Sequence, residues 1–201
     1  MKQLPRGIFV FSCSVFLALI TLTGCDMFDT REPEPPISGS STFVPPTSPD
    51  LVLTNLAFAV SEKNTENYLR CLVDTLNSSQ RFLFIPSAAA AGRYSSTFSS
   101  WSLQAERSYF SALKAFTGAS GESSLRFTGS FSILATDSAV YEGSYDLLFR
   151  HGVSGVAESV KGTVQFVLHA DRGSIWSISR WTDIPVLDQS SWSEWKGRFA
   201  N

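Results

Sequence analysis

The side chains able to do chemistry in this chain are few and widely spread. Histidine occurs twice, as His151 and His169, and cysteine three times, as Cys13, Cys25 and Cys71. Two histidines with no further Cys, His or carboxylate cluster at ligand spacing do not compose a zinc site, so no metal ligand is assigned. Cys71 has no recognisable activating partner and reads as a small buried hydrophobe. Gly118-Ala119-Ser120-Gly121 carries no lysine and follows a helical pattern instead of opening one, so it is not a phosphate loop. No catalytic residue and no cofactor-binding residue is assigned. The formal charge of −2, from 16 basic and 18 acidic residues, offers no basic field for nucleic acid.

The chemistry best supported by spacing concerns Cys25. Lys2 and Arg6 precede a run from Ile8 to Ile20 that is apolar except for Ser12 and Ser14. That run is short of the roughly 20 residues a membrane span needs and matches the apolar region of a secretory signal. It closes on Leu22-Thr23-Gly24-Cys25, which resembles the lipobox of bacterial lipoproteins. The resemblance implies cleavage before Cys25 and acylation of its thiol, with a secretory signal or an N-terminal membrane helix as alternatives. Two or more acyl chains anchor a protein stably where one does not. Removal of residues 1–24 leaves 14 basic and 18 acidic residues, a formal charge of −4, with Cys71 as the one unlipidated cysteine. The domain must then hold together without an internal disulfide, although export permits one.

Six of the nine prolines fall between Pro33 and Pro49. With interspersed Ser, Thr and Gly they make residues 25–47 a spacer that favours extended polyproline II. Residues 48–201 are enough for one domain. Ser48-Pro49-Asp50 reads as a helix start, followed by Leu53, Leu56, Ala57 and Val60 at helical spacing. Asn64-Thr65-Glu66 opens a second helix carrying Leu69, Leu72, Val73 and Leu76. Phe82-Leu83-Phe84-Ile85 is a short strand-like run, and Ala88 to Ser99 reads as a loop. A third helix spans Trp101 to Phe116, with Tyr109, Phe110, Leu113 and Phe116 on one face and Gly118 as its stop. Beyond Gly121 the period becomes two: Leu125, Phe127, Phe131 and Ile133, then Tyr141, Tyr145, Leu147 and Phe149, alternate with polar residues. Strands over 162–169 and 174–182 flank the turn Asp171-Arg172-Gly173. Trp192, Trp195 and Phe199 suit a short closing helix. The fold class is therefore α+β, with N-terminal helices packed on a curved antiparallel sheet of four or slightly more strands.

This element order resembles the NTF2-like superfamily of cone-shaped α+β domains, which includes polyketide cyclases of the SnoaL type and ketosteroid isomerases. The likeness is sharpest at Asp171-Arg172-Gly173-Ser174-Ile175-Trp176-Ser177-Ile178. Trp181-Thr182-Asp183 and Ser191-Trp192-Ser193-Glu194-Trp195-Lys196-Gly197 resemble a lipoprotein subset; another α+β sandwich is the alternative. The resemblance implies that an enzyme would place a His or Asp acid–base group inside the cone, where His169 with Asp183 or Asp171 is the available pair. An isomerase-like set would draw on Tyr141, Tyr145 and Asp146, but neighbours on a strand face opposite ways, so Tyr145 and Asp146 cannot both line the cone.

The expectation is an exported lipoprotein held at the bacterial cell envelope through lipid on Cys25, on either membrane. It displays a non-catalytic domain whose candidate partners are a small apolar ligand or an envelope protein. The alternative is a cyclase- or isomerase-type enzyme acting on a small apolar substrate. The first reading requires that no His169–Asp or Tyr–Asp pair face a common cavity of roughly 300 Å³ or more.

Overall fold

The structure is a computed structural model describing residues 41–75, 78–117, 121–187 and 189–200. The signal segment, Cys25 and the first part of the spacer lie outside the described residues, as do Leu76 and Gly118. Among the described residues no helix is long and apolar enough to cross a membrane.

Pro49 sits in the first turn of α1 (Pro49–Ser61), where its missing N–H costs nothing, and Asp50 faces the helix N-terminus. Val52, Leu53, Leu56, Ala59 and Val60 form the buried stripe. The helix ends at Glu62, and Lys63 takes φ 53° to turn the chain back. Asn64 then caps α2 (Thr65–Arg70), its side chain accepting from the Asn67 amide at 3.1 Å.

The α2 helix stops short of the expected end near Leu76. Residues 71–73 instead pair with the sheet: Ile178 N–H donates to Cys71 O and Val73 N–H donates to Ile178 O, both at 2.9 Å. Leu69, Leu72 and Val73 are spaced for a helix, but Cys71 O and Val73 N–H are satisfied by a strand edge instead. Residues 41–47, read from composition as spacer, also pack on the domain. Pro46 O accepts from Trp176 N–H at 2.8 Å, and Asn55 exchanges two hydrogen bonds with the Val44 backbone.

Leu83–Ile85 forms strand β1. The expected loop from Ala88 to Ser99 is instead two short helices, α3 (Ala88–Arg93) and α4 (Ser95–Phe98). Ser87 caps the first, accepting from Ala90 N–H at 3.3 Å, and the alanine run that follows has the highest helix propensity. Helix α5 (Leu103–Phe116) buries Glu106, Tyr109, Phe110 and Leu113, whereas Phe116 in its last turn is 56 % exposed.

Strands β2 (Ser123–Ala135), β3 (Ser138–Phe149), β4 (Ser159–Ala170) and β5 (Trp176–Pro185) form the antiparallel meander. β1 adds a parallel pairing to β5, giving five strands in the order β1-β5-β4-β3-β2. The sheet is thus mixed, not purely antiparallel. Ile133 keeps its alternation but is 63 % exposed, because the far end of β2 outruns the helical cover.

A bulge in β5 decides what faces the core. Val167 pairs with Arg180 and Leu168 with Ile178, so Ser179 is an extra residue. An extra residue reverses the side-chain alternation beyond it. Trp176 and Ile178 therefore share the buried face with Trp181 and Asp183, which lie at odd spacing from them. Helix α6 (Trp192–Phe199) packs into this face with Trp192, Trp195, Lys196 and Phe199 buried, as a closing helix.

Candidate functional site

Two buried polar groups lie inside the cone, and both meet α6. Lys196 projects from α6 onto Glu106 of α5; both side chains are fully buried. Glu106 also accepts from the Tyr68 hydroxyl and from Trp101 Nε1, each at 2.8 Å. The Lys196 ammonium lies 3.7 Å from the Trp181 ring centroid and 3.9 Å from that of Phe84. Burial pushes Lys196 down to about 8, against the opposing pull of Glu106. The same burial raises the Tyr68 and Tyr109 phenols.

The second group joins sheet to helix. Tyr145 on β3 donates to Asp183 Oδ1 on β5 at 2.8 Å and accepts from Trp192 N–H at 2.7 Å. Asp183 Oδ2 accepts from Ser193 N–H at 2.8 Å and from the Ser193 hydroxyl at 2.5 Å. Asp183 thus receives the Ser193 amide in the first turn of α6, an arrangement favoured by the helix dipole. The Tyr145 ring reaches β5 across Gly162 of the intervening β4, its cross-strand neighbour. A Cβ at Gly162 would lie 2.6 Å from the Tyr145 hydroxyl. Burial, then the nearby Asp183, raises the Tyr145 phenol.

Neither histidine joins these groups. His169 Nδ1 lies 2.8 Å from Ser179 Oγ, which itself donates to Val167 O. The His169–Asp183 and His169–Asp171 pairings raised by the resemblance are not formed. Asp171 accepts instead from Gly173 N–H and Ile175 N–H, holding the β4–β5 turn. His151 is buried, with Nε2 3.2 Å from Ala157 O and Nδ1 accepting from Val153 N–H. Tyr145 and Asp146 face opposite ways as anticipated: Asp146 bridges to Lys161 on the outer face. Cys71 is buried, and burial pushes its thiol well above the ordinary range, which removes the thiolate a nucleophile needs. Among the described residues no three His, Cys, Asp or Glu side chains cluster as a metal site would require.

A cavity of about 560 Å³ opens elsewhere, between α2, the start of α5, residues 43–46 and the β4–β5 turn. Phe43, Pro46, Leu72 and Trp176 supply its apolar lining and Arg70 and Arg107 part of its rim. Arg70 stacks on Phe43 and Arg107 pairs with Glu66. Glu106, Lys196, Tyr145 and Asp183 do not line it.

The sequence reading missed Glu106, Lys196 and the Tyr145–Asp183 pair. A signal existed for the first two. Glu106 occupies the stripe of Tyr109, Phe110 and Leu113 at i, i+3, i+4 and i+7, and Lys196 lies four after Trp192 and three before Phe199. A charge on an apolar stripe is a candidate buried ion. The Tyr145–Asp183 pair had none, since it depends on the bulge at Ser179.

The arrangement of helices on a curved sheet recurs in solved structures. A candidate scytalone dehydratase from Novosphingobium aromaticivorans matches with a TM-score of 0.50 at 9% identity, over 67% of this chain and 78% of that one. An NTF2-like superfamily protein from Salmonella enterica matches at 0.46 and 11% identity, over 68% and 88%. A ketosteroid isomerase-like protein from Erwinia carotovora matches at 0.46 and 8% identity, over 68% and 94%. At these identities the likeness is one of fold alone, an α+β domain with helices packed on a sheet. No protein-family model matches the sequence, and no curated protein does.

Proposed function

We propose that this chain is an exported bacterial lipoprotein, anchored by lipid on Cys25, which displays a non-catalytic binding or structural domain at the cell envelope. The observation that supports a non-catalytic domain is the filling of the cone by α6. Trp192, Trp195 and Lys196 occupy the interior, and the acceptors of Asp183 and Glu106 are spent on Tyr145, Ser193, Tyr68, Trp101 and Lys196. General acid–base catalysis needs such a group within reach of a substrate. The lipobox-like sequence at Leu22-Thr23-Gly24-Cys25 supports the anchor. In a bacterial host, Cys25→Ser should give unprocessed precursor that takes up no labelled fatty acid. Unchanged acylation and membrane partitioning of that variant would remove the anchor.

A cone-fold enzyme of the cyclase or isomerase type is the second reading, favoured by the buried Tyr145–Asp183 pair and by the dehydratase and isomerase names among the structural neighbours. It requires Asp183 to be freed from Ser193. Turnover of such a substrate that is lost in Asp183→Asn would establish it.

A further inference from the structure

We propose that the outer edge of β2 is the contact surface for a second copy of this chain, the two β2 strands pairing antiparallel about Gly129 so that one sheet runs through both copies. Among the described residues, β3 is the one strand that pairs with β2. The other side of this 13-residue strand thus presents backbone N–H and C=O groups to no strand among those residues. Folded proteins blunt such edges with short strands, proline, lysine or bulges. The opposite edge of the sheet is blunted in this way: β1 has three residues and Pro86 follows it. Between Ser123 and Ala135 there is neither lysine nor proline, and Arg126 is the one charged residue. The bulge of β2 falls beyond Ile133, outside the central stretch.

The residues of that edge specify the partner. Leu125-Arg126-Phe127-Thr128-Gly129-Ser130-Phe131-Ser132-Ile133 has nearly the same pattern read in either direction. A two-fold contact brings one surface against itself, so it requires such self-complementarity. Residues directly opposite across an antiparallel pair share a face. With Gly129 opposite its own copy, Phe127 of one chain meets Phe131 of the other and Leu125 meets Ile133 on the inner face, each contact made twice. On the outer face Thr128 meets Ser130 and Arg126 meets Ser132. The inner row is already assembled within one copy. The Tyr141 ring lies 6.0 Å from Phe127 and 5.0 Å from Phe131. Between them it covers Gly129, where an added Cβ would sit 2.8 Å from the Tyr141 hydroxyl. Phe127 and Phe131 are half-buried, which leaves each a face for a cross-strand aromatic partner. Ile133, 63 % exposed, gains cover beside Leu125 of the other copy. Charge sets the direction. Antiparallel pairing holds the two Arg126 side chains six residues apart along the strand, roughly 20 Å, whereas parallel pairing in register would stack them.

The pairing goes beyond the reading of the domain as a binding or structural module and does not rest on the anchor at Cys25. It is tested on the full chain purified in mild detergent. Sedimentation velocity should give the mass of two polypeptides, falling to one on dilution. Ile133→Lys, at an exposed position, sets a charge beside Leu125 of the other copy and should raise the dissociation constant at least about tenfold. Register is read by cysteine pairing in a Cys71→Ala background. Arg126→Cys chains mixed with Ser132→Cys chains should oxidise to a dimer whose disulfide maps to residues 126 and 132, while neither variant alone bridges through its new cysteine. A single-copy mass at every concentration, a dimer indifferent to Ile133→Lys, or a mixture without the 126–132 bridge overturns the proposal. Should Ile133→Lys fail to fold, the bridge decides alone. Failure here leaves the anchor and the closed domain standing, whereas unchanged acylation of Cys25→Ser removes the anchor and leaves this pairing untouched.

Discussion

Tyr145 donates to Asp183 at 2.8 Å, spanning from β3 to β5 over the glycine of the strand between them. The same hydroxyl accepts the Trp192 amide, so one phenol oxygen ties two strands to the closing helix. Tyr145→Phe should therefore cost more than a surface hydroxyl. It leaves a buried carboxyl oxygen and a buried amide short of a partner, at about 1–3 kcal/mol for each unsatisfied group. Urea denaturation should show a lower midpoint with an unchanged slope. A loss under about 0.5 kcal/mol would mean that water replaces the phenol.

Gly162 tests the same bridge from below. Its missing side chain is where the Tyr145 ring lies, and an added Cβ would sit 2.7 Å from ring carbons. Gly162→Ala should cost about 1–3 kcal/mol, the range for overpacking. In a Tyr145→Ala background that cost should shrink, since removal of the ring removes the clash. Additive costs in the double variant would place the strain in the backbone instead.

Trp176 and Ile178 share the buried face of β5, at 7 % and 0 % exposure. Trp176→Ala should destabilise by about 3–5 kcal/mol, as large-to-small aromatic deletions in cores do. A loss under about 1 kcal/mol in calorimetry or denaturation would put that face in solvent.

Lys196 gives the stability curve a particular shape in alkali. Its folded value, about 8, lies below the unfolded value of about 10.4. Between those two values the unfolded chain binds a proton that the folded chain has released. Stability should therefore rise with pH in this window, by at most about 1.4 kcal/mol per unit, and the gain is absent below pH 8. The Cys71 thiol above about pH 8.5 and the Tyr68, Tyr109 and Tyr145 phenols above about pH 10 act oppositely: all are raised in the fold, so the unfolded chain ionises first and stability falls. In a Cys71→Ala background, denaturation from about pH 7 to 11 should show a maximum near pH 10, and adding Lys196→Met should abolish the rise leading to it.

The periodicity of the sequence was enough to specify the first, third and closing helical stripes and the four strands of the meander, because burial of one face imposes a 3.6-residue or a two-residue repeat directly on residue type. Trp192, Trp195 and Phe199 marked the closing helix in the same way. Capping and pairing were less legible. Residues 71–73 looked like helix because their partner lies in a strand about a hundred residues away, whereas the alanine run after Ser87, read as loop, carried a local signal, a capping serine before strong helix formers. The interior chemistry depended most on tertiary structure. A single extra residue at Ser179 turns Trp181 and Asp183 inward, and alternation counted along the chain assigns them to the opposite face. Only the bulged register brings Asp183 to Tyr145 and Trp181 to Lys196. The residues that fill the cone are written in the sequence, but the contacts among them are long-range, and no local pattern encodes which side chain will meet which.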